Sequence, residues 1–300
     1  MTSSPHLQPA RTALVTGANQ GLGRALVEGL AAGLGPGDRV VLTGRRADAV
    51  HAAAVEVTAA LPHAARIEPR VLDVRDGAAI EALAADLGTV DVLLSNATAR
   101  MTPDDDPADV VDAVADTSNL ATTRILRAFA PRLRPGGRLV VVASALGTLD
   151  KLDARVRPRF AAAAGADLDA VDALVADWRA AVRAGRAVAE GYGAWLNIPS
   201  KVAQVAAVRA LARERRATDL AHGRLVVALC PGLIDTDASR PWFPDMSTAQ
   251  SPAEAARWPV RLALGEVTEE EAARWYGELV QFGTVLPWET GIPVAHRATT

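Results

Sequence analysis

The segment TALVTGANQGLG, Thr12 to Gly23, joins an apolar strand to a glycine-rich turn and the opening of a helix. Gly17, Gly21 and Gly23 remove side chains where the backbone must turn tightly and let a ligand approach. The helix that follows points its free N–H groups and positive dipole end at an anion. With Asn19, Gln20 and Leu22 between them, these glycines form a candidate pyrophosphate cradle. The spacing G-x-x-x-G-x-G differs from the commoner G-x-G-x-x-G, and an ordinary strand-to-helix turn would satisfy it too.

The rest of the chain supplies the sheet that such a junction needs. Continuous Val, Leu and Ile runs predict strands at 12–16, 39–43, 66–72, 90–94, 138–143 and 224–230, separated by alanine-rich helical stretches. This alternation predicts an α/β fold, a Rossmann-type doubly wound parallel sheet with helices covering both faces. No linker or internal repeat divides it, so a single domain over 1–300 is expected, with a flexible N-terminus at 1–11 and a tail at 289–300. An insertion at about 147–191 interrupts the alternation. Within it Leu168, Val171, Leu174, Val175, Trp178 and Val182 recur at helical spacing, a stripe expected to pack on the body and able to wall a pocket.

Composition narrows the function. A net charge of −3 and a pI near 6.0 offer no basic surplus for nucleic acid. The opening residues lack the apolar core of a secretion signal, and no apolar run reaches the length of a membrane span, so a cytoplasmic enzyme is expected. One cysteine, Cys230, excludes an intramolecular disulfide, and five scattered histidines argue against a metal site. Of the 32 basic residues only Lys151 and Lys201 are lysine.

The strand ends carry candidate cofactor groups. After the second strand, TGRR places Arg45 and Arg46 where a dinucleotide fold meets the adenosine ribose. An acidic residue there would select NAD, whereas guanidinium forks suit a 2′-phosphate, so NADP is favoured. A solvated arginine pair is the plainer alternative. Asp73 and Val74 end the third strand, and Asn96 and Ala97 follow the fourth, all at the edge facing the crevice.

In these motifs and their order the chain resembles the short-chain dehydrogenases/reductases, particularly the group of monomeric carbonyl reductases and salutaridine-reductase-like enzymes. The shared landmarks are TGANQGLG, LTGR, LDV, SNA, Asn119 in SNLATTR, Ser144 in VVASALG, the insertion before NIPSK, CPGLIDT at 230–236 and GELVQF at 277–282. The resemblance implies adenine contacts from Asp73 and a nicotinamide ribose held by Lys201. It also implies a nicotinamide amide met by the Pro231–Gly232 turn with Ile234 and Thr236. Because the insertion in this group covers a helix face that otherwise mediates association, it implies a monomer.

The family's chemistry moves a hydride between the nicotinamide and a carbinol carbon, with a tyrosine as acid or base, a lysine lowering its pKa, a serine on the carbonyl oxygen and an asparagine-held water. Tyrosine and lysine lie four apart because residues i and i+4 share one helical face. Counting back from Lys201 reaches Asn197, whose amide can donate a hydrogen bond but cannot exchange a proton. Losing general acid–base catalysis costs on the order of 10² to 10⁴ in rate on a ketone. Tyr192 lies nine residues before Lys201, on the opposite side of any continuous helix, and Pro199 belongs in a first turn, so Tyr192 is expected to precede the helix and to serve as an aromatic pocket wall.

Three functions remain open on the residues alone. One is an atypical NADP-dependent reductase acting on an enone, imine or carbonyl, with Ser144 and Asn197 holding the substrate oxygen, Lys201 fixing the ribose and Asn119 supporting helix and water. Another is a non-redox cyclase, isomerase or dehydratase. The third is a catalytically inactive NADP-binding sensor or scaffold. Lysine retained at 201 in an arginine-rich chain argues against full decay. All six tryptophans lie from Trp178 onward, and Trp195, Trp242 and Phe243 are candidate walls for a sizeable apolar or aromatic substrate.

Overall fold

The computed structural model describes residues 10–290, so most of the expected N-terminal and C-terminal tails lies outside the described residues. The first half runs β1 (Thr12–Val15), α1 (Gly21–Gly33), β2 (Arg39–Gly44), α2 (Ala47–Ala60), β3 (Arg66–Val71), α3 (Gly77–Leu87), β4 (Val90–Ser95), α4 (Pro107–Val114), α5 (Ala121–Phe129) and β5 (Leu133–Val142). The second half runs α6 (Arg157–Ala164), α7 (Leu168–Arg183), α8 (Ala187–Glu190), α9 (Asn197–Ala221), β6 (Leu225–Leu229), α10 (Pro252–Ala263), α11 (Glu269–Trp275), β7 (Leu279–Gln281) and β8 (Thr284–Leu286).

These strands form one eight-stranded sheet in the order β3-β2-β1-β4-β5-β6-β7-β8. All neighbouring pairs are parallel except β7 with β8. The chain therefore reverses its direction of winding between β1 and β4, which opens a crevice beyond the carboxyl ends of those strands. The central strands β1 and β6 are buried throughout, as their unbroken aliphatic runs require. Pro69 in β3 is tolerated because β3 is an edge strand, where a missing N–H breaks no ladder on the outer side.

The six predicted strands are present, with ends shifted by a few residues. The antiparallel hairpin of β7 and β8 was not foreseen as strand, since each member is only three residues long. It turns on Phe282 and Gly283, both at positive φ (48° and 80°).

The insertion folds as α6, α7 and α8. Asp167 caps α7 by accepting from the Ala170 N–H, and all six residues of the predicted stripe are buried. The helix is also clipped across α4 and α5 by ion pairs: Arg179 to Asp112 and Asp116, Arg183 to Asp112, and Arg127 to Asp172. Packing on the body therefore accounts for the stripe.

α9 starts at Asn197 with Pro199 in its first turn, where a proline's missing N–H has no helical partner to lose. Its far end is anchored by Asp219, fully buried, which accepts from the Tyr276 hydroxyl at 2.6 Å and pairs with Arg215 and Arg224. Burial and this carboxylate push the Tyr276 phenol well above its usual range.

Candidate active site

Glycine geometry closes the phosphate turn on its inner side. A Cβ on Gly17, which sits at φ 62°, would fall 2.8 Å from the Ala97 Cα, and one on Gly23 would fall 2.2 Å from the Gly17 carbonyl oxygen. The outer side is open: at Gly21 (φ 55°) an added Cβ would meet nothing nearer than the Thr236 Cγ2 at 3.7 Å. Asn96 locks the turn from below, its Nδ2 donating to the carbonyls of Thr16 and Gly17 at 3.1 Å. The Thr16 hydroxyl accepts from the Asn96 and Ala97 N–H groups at 3.0 Å.

α1 begins after Gln20 with no side-chain cap and no acidic residue in its first turn. Its leading N–H groups and dipole are thus uncommitted and unopposed by carboxylate, as a diphosphate requires. At the adjoining strand end the Asn19 amide lies against Gly44, where an added Cβ would meet its Oδ1 at 2.9 Å. Arg45 and Arg46 beyond are exposed, and their side chains make no hydrogen bond or ion pair among the described residues. Asp73 accepts three bonds from the Arg75 side chain, at 3.0, 3.1 and 2.5 Å, and that pairing, helped by Arg45, holds its carboxyl below the usual range. Val74 beside it is buried. The residues present fit an extended anionic dinucleotide with a further anion at Arg45.

The segments that carry the candidate catalytic residues pack together: the turn after β5 and the Asn119 stretch both press on the start of α9. Ser144 follows β5 by two residues and its Oγ accepts from the Leu146 N–H at 3.2 Å, leaving the hydroxyl proton available. The turn after it presses on α9, since a Cβ at Gly147 would sit 3.1 Å from the Lys201 carbonyl oxygen. Asn119 lies in a π-helical stretch, Ala115–Leu120, between α4 and α5. Its Nδ2 donates to the Ser200 carbonyl at 2.8 Å and its Oδ1 accepts from the Ser200 hydroxyl at 3.0 Å. Wide turns of this kind recur at functional sites because they leave backbone groups unspent. Here one fastens the residue next to Lys201.

Lys201 donates from Nζ to the Gln204 Oε1 at 2.8 Å, and Gln204 in turn donates to the Thr122 hydroxyl at 3.3 Å. Although part of the residue's surface is accessible, its ammonium is enclosed, and loss of hydration pulls it down to about 8. Cys230 at the end of β6 acts in the opposite sense on that ammonium. Its Sγ accepts from the Ala145 N–H at 3.1 Å and from Gln281 Nε2 at 3.2 Å, while burial raises the thiol. The Asn197 side chain, one turn before Lys201, makes no hydrogen bond among the described residues and is partly accessible.

After Cys230 the chain turns through Pro231 and Gly232. Gln250 Nε2 donates to the Pro231 carbonyl at 3.1 Å, and Ile234 bridges to Gln250. Thr236 shares a hydrogen bond of 3.0 Å with Ser239 and faces the Gly21 turn.

Of the candidate aromatic walls, Trp195 and Trp242 come together, and Trp242 Nε1 also donates to the Met101 carbonyl at 3.1 Å. Phe243 is 38% exposed. Tyr192 does precede α9, but its aromatic-wall role conflicts with its contacts. The ring is buried against Phe160 and the hydroxyl accepts from Arg159 at 2.5 Å, both partners belonging to the insertion. The correction has a physical reason: a buried phenol needs a partner, and α6 supplies a guanidinium.

Sequence reasoning missed Gln204, Met101 and the structural part of Cys230. Gln204 had a weak signal, three residues beyond Lys201 on the same helix; the others depend on contacts between distant loops. A hollow of about 390 Å³ lined by Arg11, Thr12, Asp91, Arg134 and Gly265 lies at the opposite, amino edge of the sheet and includes none of these residues. Among the described residues no cluster of His, Cys, Asp and Glu could hold a metal, and no helix is long and apolar enough to cross a membrane.

The sequence profile of the family described as short chain dehydrogenase matches residues 11–177. Carbonyl reductase [NADPH] 3 of Mus musculus is 30% identical over 292 residues, covering 93% of this chain and 99% of that protein. Carbonyl reductase [NADPH] 1 of Mus musculus is 30% identical over 289 residues, covering 92% and 98%. Among solved structures, salutaridine reductase from Papaver somniferum superposes with a TM-score of 0.73 at 20% identity, over 90% of this chain and 99% of that one. An NADPH-bound carbonyl reductase from chicken fatty liver superposes at 0.63 and 19% identity, over 93% and 94%.

Proposed function

The chain belongs to the short-chain dehydrogenase family, in its carbonyl-reductase-like group, and from that premise we propose that it is an NADP-dependent reductase acting without the family's tyrosine on a sizeable apolar or aromatic substrate. NADPH, when bound, supplies a hydride. The Gly17–Gly23 turn and the α1 N-terminus would hold its diphosphate and Arg45 its 2′-phosphate, with Asp73, Val74, Asn96 and Ala97 lining the adenine side. Lys201 would take the ribose, and Pro231, Gly232, Ile234 and Thr236 the amide end.

The observation that carries the reading is the contrast between an intact frame and one changed position. Asn119 is hydrogen-bonded to Ser200, Lys201 beside it is held by Gln204, and the turn after Ser144 packs on the same stretch of α9 through Gly147, while Asn197 contributes an unspent amide in the first turn of α9. Ser144 and Asn197 donate to the substrate oxygen and polarise it, which suffices for an enone, while an already protonated imine needs no such donor. Trp195 and Trp242 form the apolar wall. We further propose that the protein works in the cytoplasm and as a monomer, the monomer being supported by α7 and its ion pairs, which cover the α4 and α5 face.

The test is NADPH binding by fluorescence, followed by NADPH oxidation with menadione, an aromatic enedione. Failure to bind NADPH sinks the reading. Binding without oxidation shifts weight to the non-redox or sensor alternatives, which separate on whether any substrate is converted without cofactor loss.

A further inference from the structure

The site lacks a phenol, yet reduction of an enone, a carbonyl or a neutral imine still needs a proton, so the acid must be sought among the groups present. Ser144 and the Asn197 amide are both far too weak as acids to give up a proton near neutral pH. Cys230 is buried, receives two N–H donors on its sulfur and is held neutral by its burial. Lys201 differs from all of these. It stands on the same helical face as Asn197, one turn away. A single acceptor, Gln204 Oε1, engages its ammonium, which has three protons to give, and no carboxylate pairs with it among the described residues. An asparagine at 197 is also far shorter than a tyrosine, so no ring stands between the ammonium and the donors that hold the substrate oxygen.

We propose that Lys201 itself delivers the proton that accompanies reduction, directly or through one water, and so replaces the missing phenol as general acid. The proposal rests on the reductase reading above. The balance is simple: the substrate's unsaturated bond takes a hydride at carbon from the reduced nicotinamide cofactor and a proton at oxygen, nitrogen or the α carbon. The N–H bond of Lys201 breaks with its electron pair left on Nζ, and the neutral amine regains a proton from solvent by way of water. Two electrons pass from cofactor to substrate, and the lysine is unchanged after one turnover. Among the described residues the groups that act on the ammonium are Gln204 from its own helix and Cys230 following β6, and of these two Cys230 can titrate. An ammonium near 8 is well matched to giving up a proton at neutral pH, whereas one near its ordinary 10.5 is not.

The composition makes a direct test possible, because the chain has only two lysines. Full-length protein carrying Lys151→Arg and labelled with ε-¹³C lysine shows one lysine resonance, whose titration reads the Lys201 ammonium without any turnover. The expected midpoint is about 8. In the same protein kcat for menadione with NADPH is expected to be high below that midpoint and to fall tenfold per pH unit above it. Lys201→Arg keeps the positive charge but removes the titration, and is expected to lower kcat by about 10²-fold and abolish the alkaline fall. A resonance titrating near 10.5 overturns the proposal, as does an alkaline fall that persists in Lys201→Arg. NADPH binding with no oxidation at any pH overturns both this proposal and the reductase reading, whereas oxidation with an unchanged profile in the variant overturns this one alone.

Discussion

Trp195 and Trp242 pack against each other with ring centroids 5.4 Å apart and planes tilted by 31°, joining the loop before α9 to the loop after β6. Trp195 Nε1 is buried without a partner, so this wall presents both apolar area and an uncommitted donor. Trp242→Ala is expected to raise KM for menadione about tenfold, with Tm lowered by only a few degrees because both loops lie outside the central core. Trp195→Phe is expected to keep the apolar wall; a KM loss as large as that of Trp242→Ala would assign substrate hydrogen bonding to the indole.

Arg45 is exposed and unpaired among the described residues, so removing its side chain should leave the fold alone. Arg45→Ala is expected to weaken NADPH binding by about 10- to 100-fold, the range of one charge-assisted bidentate contact, while NADH binding changes little. Fluorescence titration with both nucleotides checks this, and an equal effect on the two would place the 2′-phosphate elsewhere.

Asn197→Tyr restores a phenol one turn before Lys201. Ketone reduction is expected to appear or to rise by up to about 10²-fold, measured on a simple aryl ketone. With NADPH still bound and no gain in rate, the pocket as a whole has moved away from carbonyls.

The buried ammonium of Lys201 also makes a stability prediction. Its value is lowered from 10.5 to about 8 by desolvation, so between those pH values the unfolded chain binds more protons than the folded one, and stability rises with pH across that window. Below about pH 8 both states are charged and the penalty is complete, on the order of 3 kcal/mol at most. Lys201→Met is expected to stabilise the protein at pH 7 by up to that amount and to remove the rise between pH 8 and 10.5, as read from urea midpoints.

Phe282 holds φ 48° in the β7–β8 hairpin, a left-handed conformation that costs a residue with a side chain about 1 kcal/mol or more. Its ring lies beside the Pro231–Gly232 turn, where a Cβ on Gly232 would meet it at 3.1 Å. Phe282→Gly is expected to raise stability by about 1 kcal/mol by calorimetry, and an unchanged or lower Tm would mean that the ring contact outweighs the strain.

The elements readable in advance were those with local causes. The Gly17–Gly23 turn declares itself through the glycines that only a tight backbone needs, and α7 through a stripe that only one period explains. Tyr192 could be placed before α9 from Pro199 alone, but not turned toward Arg159, because that partner sits in a helix of the insertion whose docking nothing local specifies. Gln204 under Lys201 had a legible spacing and no legible purpose, since a buried glutamine matters only once Thr122 is known to face it. Cys230 looked like a lone thiol until β5 and β7 brought Ala145 and Gln281 onto its sulfur.

The clasp between Asn119 and Ser200 has an evolutionary consequence. Because the lysine's address is fixed by a hydrogen-bonded pair that does not include residue 197, position 197 can change identity without disturbing that pair. A lineage could thus exchange one reaction for another through a single codon, with the scaffold and its nucleotide economy inherited intact.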